Sequence, residues 1–103
     1  MAESFSYKIT AESELYSFDF SQVLAADETI LTSYCTIEVM SGTDNNPNDI
    51  KVGASYFTGQ IASQRIAGGI SEVTYRLEME ITTSLGNTYI GVGDLSVYDP
   101  DLV

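Results

Sequence analysis

Between Asp44 and Asp49 the chain places five oxygen-bearing side chains within six positions: Asp44, Asn45, Asn46, Asn48 and Asp49. Carboxylate and amide oxygens at such density suit a hard cation such as calcium. The segment lacks the central glycine and distal glutamate of an EF-hand loop, so it reads as a polar turn, and no metal site is expected. Cys35 is the lone cysteine and histidine is absent. That excludes a Cys–His nucleophile pair and removes the commonest general base and zinc ligand. A single thiol forms no intrachain disulfide, and Cys35 sits in a strand-like run, where it reads as a small buried apolar residue. The Gly91-Val92-Gly93 triplet lacks the third glycine and following helix of a phosphate-binding loop. Asp19, Asp27, Glu28, Asp94 and Asp99 are acid–base candidates by type only, and most of them read as solvated surface groups. The sequence therefore predicts no catalytic residue, no bound cofactor and no enzyme.

Four Lys and Arg stand against fifteen Asp and Glu, a net charge of −11. Such a surface repels phosphate backbones and anionic lipid, which argues against nucleic-acid and membrane partners. No apolar run reaches the ~18 residues of a membrane span. The opening MAESFSYK has no basic region followed by an apolar stretch, so no signal peptide is expected and the protein is made in a reducing cytoplasm.

The elements around these residues are strands. From Val73 the apolar residues Val73, Tyr75, Leu77, Met79 and Ile81 alternate with Thr74, Arg76, Glu78, Glu80 and Thr82, as in a strand with one face in a core. A turn at Ser84-Leu85-Gly86-Asn87 returns the chain, with Gly86 or Asn87 able to be left-handed. In the last strand Ile90 and Val92 share one parity and Leu95 and Val97 the other, so a bulge is expected near Gly91–Gly93. Earlier strands are expected at Phe5–Ile9, Tyr16–Phe20, Thr29–Met40 (with Cys35, Ile37 and Val39 inward), Ile50–Phe57 and Gln60–Ile66. Gln22–Glu28 is expected to make one helical turn, with Val23 and Leu24 inward and Asp27 and Glu28 exposed. Seven or so short strands with regular turn signals predict an all-β fold, an immunoglobulin-like antiparallel β-sandwich without the disulfide or core tryptophan of antibody domains. Residues 1–98 form this single domain and 99–103 a short acidic tail.

The same residues carry a resemblance. The aromatic–Asp–aromatic segment Tyr16-Ser17-Phe18-Asp19-Phe20 is followed by Leu24-Ala25 and Asp27-Glu28-Thr29-Ile30. Later come Gly68-Gly69, Thr74-Tyr75 and Ile81-Thr82-Thr83-Ser84-Leu85-Gly86. In that order these resemble small immunoglobulin-like structural proteins encoded by tailed bacteriophages and prophages. The resemblance is that of a divergent member. Phe20, and Tyr34 or Cys35, stand where that family has tryptophan, and the Ser41–Asp49 loop is longer.

The resemblance implies a non-enzymatic virion protein, a capsid decoration or minor head protein attached to the assembled particle. Its alternatives are a tail or head–tail attachment protein, or a carbohydrate- or host-surface-binding module that would use exposed tyrosines such as Tyr56, Tyr89 and Tyr98. The partners implied are capsid or other virion proteins, with homo-oligomers left open. A decoration protein needs an apolar patch or a pairable strand edge, and the Phe5–Ile9 segment supplies the candidate contact residues Phe5, Tyr7 and Ile9. On that reading residues 1–10 are dispensable for folding.

Overall fold

The computed structural model describes residues 2–103, with side chains from Phe5 onward. Its strands are β1 (Ala2–Ser4), β2 (Lys8–Ile9), β3 (Ser13–Asp19), β4 (Ile30–Ser41), β5 (Lys51–Thr58), β6 (Ile61–Ala67), β7 (Val73–Thr83) and β8 (Thr88–Tyr98). Short 3-10 turns occupy Pro47–Ile50 and Pro100–Leu102. One sheet runs β1-β8-β7-β4, with β2 also on β8; the other runs β3-β6-β5. β1 and β2 are two pieces of one interrupted edge strand, both parallel to β8. The remaining ladders are antiparallel. Sequence-order strands 3, 6 and 5 facing 4, 7 and 8 reproduce the two-sheet division of the immunoglobulin fold.

The alternation in β7 becomes packing. Tyr75, Leu77, Met79 and Ile81 are fully buried, as are Leu95 and Val97 of β8. They meet Tyr16 and Phe18 of β3, Cys35 and Ile37 of β4, and Ala62 and Ile66 of β6 in one core. On the outward face of the same sheet, Arg76 makes a two-pronged pair with Asp94, at 2.7 and 3.0 Å. That pair holds the Asp94 carboxyl below the usual carboxylate range. Both side chains are about 30% exposed, so it adds at most about 1 kcal/mol.

The expected bulge in β8 is absent: β7 and β8 pair without a register shift from Val73↔Val97 to Thr82↔Thr88. Ile90, 55% exposed, points outward, and the inward positions of that half are Tyr89, Gly91 and Gly93. Glycine there makes room for rings from elsewhere. A β-carbon on Gly91 would come within 3.0 Å of the Phe18 ring, and one on Gly93 would land on the Phe5 ring. The parity slip in the sequence is therefore two inward glycines, not an extra residue. The irregular pairings lie instead in β4, between Ile30 and Thr32 and between Val39 and Ser41, and in β5, between Val52 and Tyr56, where Gly53 is left-handed. Buried Gln64 bridges that gap by donating to the carbonyls of Val52 and Gly53.

The Phe5–Ile9 segment also departs from expectation. Pairing is interrupted between Ser4 and Lys8. Phe5 turns inward, stacking against Tyr16 and Phe18 at centroid distances of 4.9 and 5.6 Å. Lys8, which alternates with the apolar Phe5, Tyr7 and Ile9 and so by parity belongs to a polar face, is 1% exposed, and its ammonium donates to the carbonyls of Ile9, Thr10 and Gly68. Desolvation holds its pKa below the ordinary lysine value. A segment this embedded belongs to the sandwich, so its removal should cost stability.

Candidate functional site

The oxygen-rich loop is occupied with structural work. Asp44 accepts from the Tyr75 hydroxyl at 2.7 Å and from the Asn46 amide at 2.9 Å, and Asn48 accepts from the Ile37 amide at 2.9 Å. The Tyr75 hydroxyl in turn accepts from the Ile70 amide five residues upstream. This is the tyrosine corner of immunoglobulin-like domains, at the start of the corresponding strand. Burial, with Asp44 alongside, pushes the Tyr75 phenol up to about 12. Among the described residues no group of three or more His, Cys, Asp or Glu is placed to hold a metal ion. Cys35 is 1% exposed, and burial pushes its thiol up to about 11, which removes it as a nucleophile.

Glu28 is, with Lys8, a polar residue that sequence reasoning misplaced. Expected in solvent, it is 3% exposed. Its carboxylate accepts from the Thr83 hydroxyl, the Ala25 amide at 3.0 Å and the Asn87 side-chain amide at 2.9 Å. Those hydrogen bonds, Thr83 foremost, hold its pKa below the usual glutamate value. Nearby, the Ser84 amide donates to the Thr29 carbonyl and the Thr29 amide to the Ser84 hydroxyl. Two segments far apart in sequence, Ala25–Thr29 and Thr83–Asn87, are thus tied into one end of the sandwich. They are the same segments that carried the family resemblance, and their role here is architectural. Val23, expected inward, is 52% exposed, whereas Leu24 is buried.

With Val23 turned out, a groove of about 330 Å³ opens between the end of β3 and the start of β8. Phe18 and Phe20 form its floor, and Val23, Tyr89, Ile90 and Val92 its walls. It is mainly apolar, with Asp19 at its rim, and holds no acid–base or nucleophilic set. Of the predicted contact residues, Phe5 is half-buried and packs against the core, Tyr7 is 53% exposed with its ring edge-on to Tyr98, and Ile9 is half-buried beside Tyr98 in the β2–β8 ladder. The three do not share one face. Tyr56 lies on β5 in the smaller sheet, whereas Tyr89 and Tyr98 sit at opposite ends of β8, so these tyrosines form no common stacking platform.

The described residues thus form an immunoglobulin-like sandwich with an apolar groove at one end. Residues 8–91 match the family described as "Podophage GP4 fiber-tail adaptor protein gp77", and the chain belongs to that family. It is therefore a phage structural protein. No curated protein matches it. A solved structure similar to it is the 2,6-sialyltransferase of Vibrionaceae Photobacterium sp. JT-ISH-224, crystallised with CMP and lactose, at 13% identity and a TM-score of 0.48. The match covers 97% of this chain and 18% of that enzyme, and a likeness so low carries no argument about activity.

Proposed function

We propose that the protein is a non-catalytic adaptor of the phage tail, joining a fibre to the tail through protein–protein contacts. The observation that carries this reading is the family match across residues 8–91. It favours the tail-attachment alternative over capsid decoration. The physics is compatible. The domain measures 47 × 22 × 20 Å, long enough to meet different partners at different ends. Tail fibres recur around the particle, so a modest contact per copy is amplified by multivalency. The acidic surface limits adhesion to packaged DNA. Tyr7, exposed beside Tyr98, is the part of the amino-terminal segment that remains available for such a contact.

The test is genetic. Phage carrying an early stop in this gene should assemble filled heads and tails that lack fibres, and supplying the protein in trans should restore them. Normally fibred particles from the mutant would exclude the adaptor role.

A further inference from the structure

The β3-β6-β5 sheet is one strand short of the immunoglobulin arrangement. In that layout a first strand lies beside the strand equivalent to β3. Here the first strand pairs with β8 instead, and among the described residues β3 has β6 as its sole ladder partner. The direction of the open edge follows from parity. The Phe20 amide donates to the Gln60 carbonyl, so even-numbered residues address β6. The amides and carbonyls of Ser13, Leu15, Ser17 and Asp19 then face away from it, and no described residue pairs with them. At the far end of this edge lies the apolar groove, where Val23 and Ile90 are each more than half exposed.

We propose that this open side takes an extended segment of a partner virion protein, which adds as a strand to β3 and sets a bulky apolar side chain on Phe18 and Phe20. The proposal rests on the adaptor reading and names the kind of contact involved. Strand addition supplies affinity through main-chain hydrogen bonds and specificity through pockets for alternate side chains. Charge selects the occupant. Glu12, Glu14 and Asp19 are exposed along the edge, so the segment that fits alternates apolar residues with lysine or arginine. The same carboxylates oppose pairing with a second copy of this edge, a common safeguard for an unpaired strand.

The experiment uses the full chain with two probes, purified tail-fibre protein and fibreless tails from the encoding phage, each tested separately. Hydrogen exchange should show at least tenfold slowing at the Leu15, Ser17 and Asp19 amides on binding one of them, with affinity falling as salt rises. Ser17→Pro removes an edge N–H that β6 does not use, and Val23→Lys puts a charge in the groove. Each should weaken binding at least tenfold, Val23→Lys without lowering the melting temperature and Ser17→Pro relative to Ser17→Ala, which gives up the same 2.7 Å hydroxyl contact with Ser63 but keeps the edge N–H, whereas Leu85→Lys in the exposed β7–β8 turn should bind normally. Unchanged exchange together with undiminished binding by both variants would overturn the site while leaving the adaptor role intact. Edge protection that rises with the chain's own concentration, without a probe, would assign the edge to a second copy and overturn the heterologous partner. Binding to neither probe would overturn the adaptor reading and this proposal with it.

Discussion

Gly93 and Phe5 offer a quantitative test of how the amino-terminal segment is built into the sandwich. A β-carbon added at Gly93 would overlap the Phe5 ring, which packs between Tyr16, Phe18 and the backbone of β8. Gly93→Ala should therefore behave as an overpacking substitution, costing about 1–3 kcal/mol as the ring is displaced. Phe5→Ala should cost about 2–4 kcal/mol, below the full ~3–5 of a buried phenylalanine because Phe5 is only partly buried. The two changes relieve one another, since without the ring the alanine methyl has space. The double variant should thus be more stable than the sum of the singles predicts by about 1 kcal/mol or more. Urea unfolding followed by circular dichroism measures all four corners of the cycle, and tyrosine fluorescence serves as a second probe because the chain has no tryptophan. Additivity within about 0.5 kcal/mol would show that the ring does not occupy the space above Gly93, and the account of the β8 glycines would fail.

Tyr75→Phe removes both hydrogen bonds of the corner, to Asp44 and Ile70, and should lower stability by about 1–3 kcal/mol in chemical denaturation while leaving the fold intact. The depressed Glu28 pKa means that its stabilisation is fully present above the unfolded-chain value of 4.5 and is lost as pH falls through the lower folded value. Glu28→Gln should accordingly flatten part of the acid limb in a pH series of melting temperatures, and identical limbs would refute the buried cluster. Cys35 should react with a thiol reagent only on unfolding, so its labelling rate should rise with urea in step with global opening; rapid labelling of the native protein would contradict its burial. Deletion of residues 1–10 should destabilise the domain by several kcal/mol, roughly 3–5, through loss of half-buried Phe5 against the core and of buried Lys8 with its hydrogen bonds; an unchanged melting temperature would instead restore a peripheral role for that segment.

Much of the fold was legible because period-two alternation is a local signal. The β7 strand, its turn at Gly86 and the inward set of β4 follow from side-chain parity alone. What the sequence hid depends on partners distant in the chain. The inward glycines of β8 look like a register slip until Phe5 and Phe18 occupy the space above them. Lys8 looks solvent-facing until the Gly68 carbonyl arrives to accept from it. Glu28 looks exposed until Thr83 and Asn87 come across from the β7–β8 turn. The groove was hidden for the same reason, since its walls come from β3, the loop after it and β8. The open β3 edge depends on which sheet the first strand joins, and nothing in Phe5–Ile9 alone encodes that choice.

The central claim is that this protein holds a fibre to a tail, and sedimentation tests it directly. Purified protein is mixed separately with fibreless tails, isolated fibres and assembled capsids of the encoding phage, then with tails and fibres together. The account predicts stoichiometric co-sedimentation with tails, retention of fibres on tails only when the protein is present, and no binding to capsids. Co-sedimentation with capsids alone would contradict it and return the protein to the surface of the head.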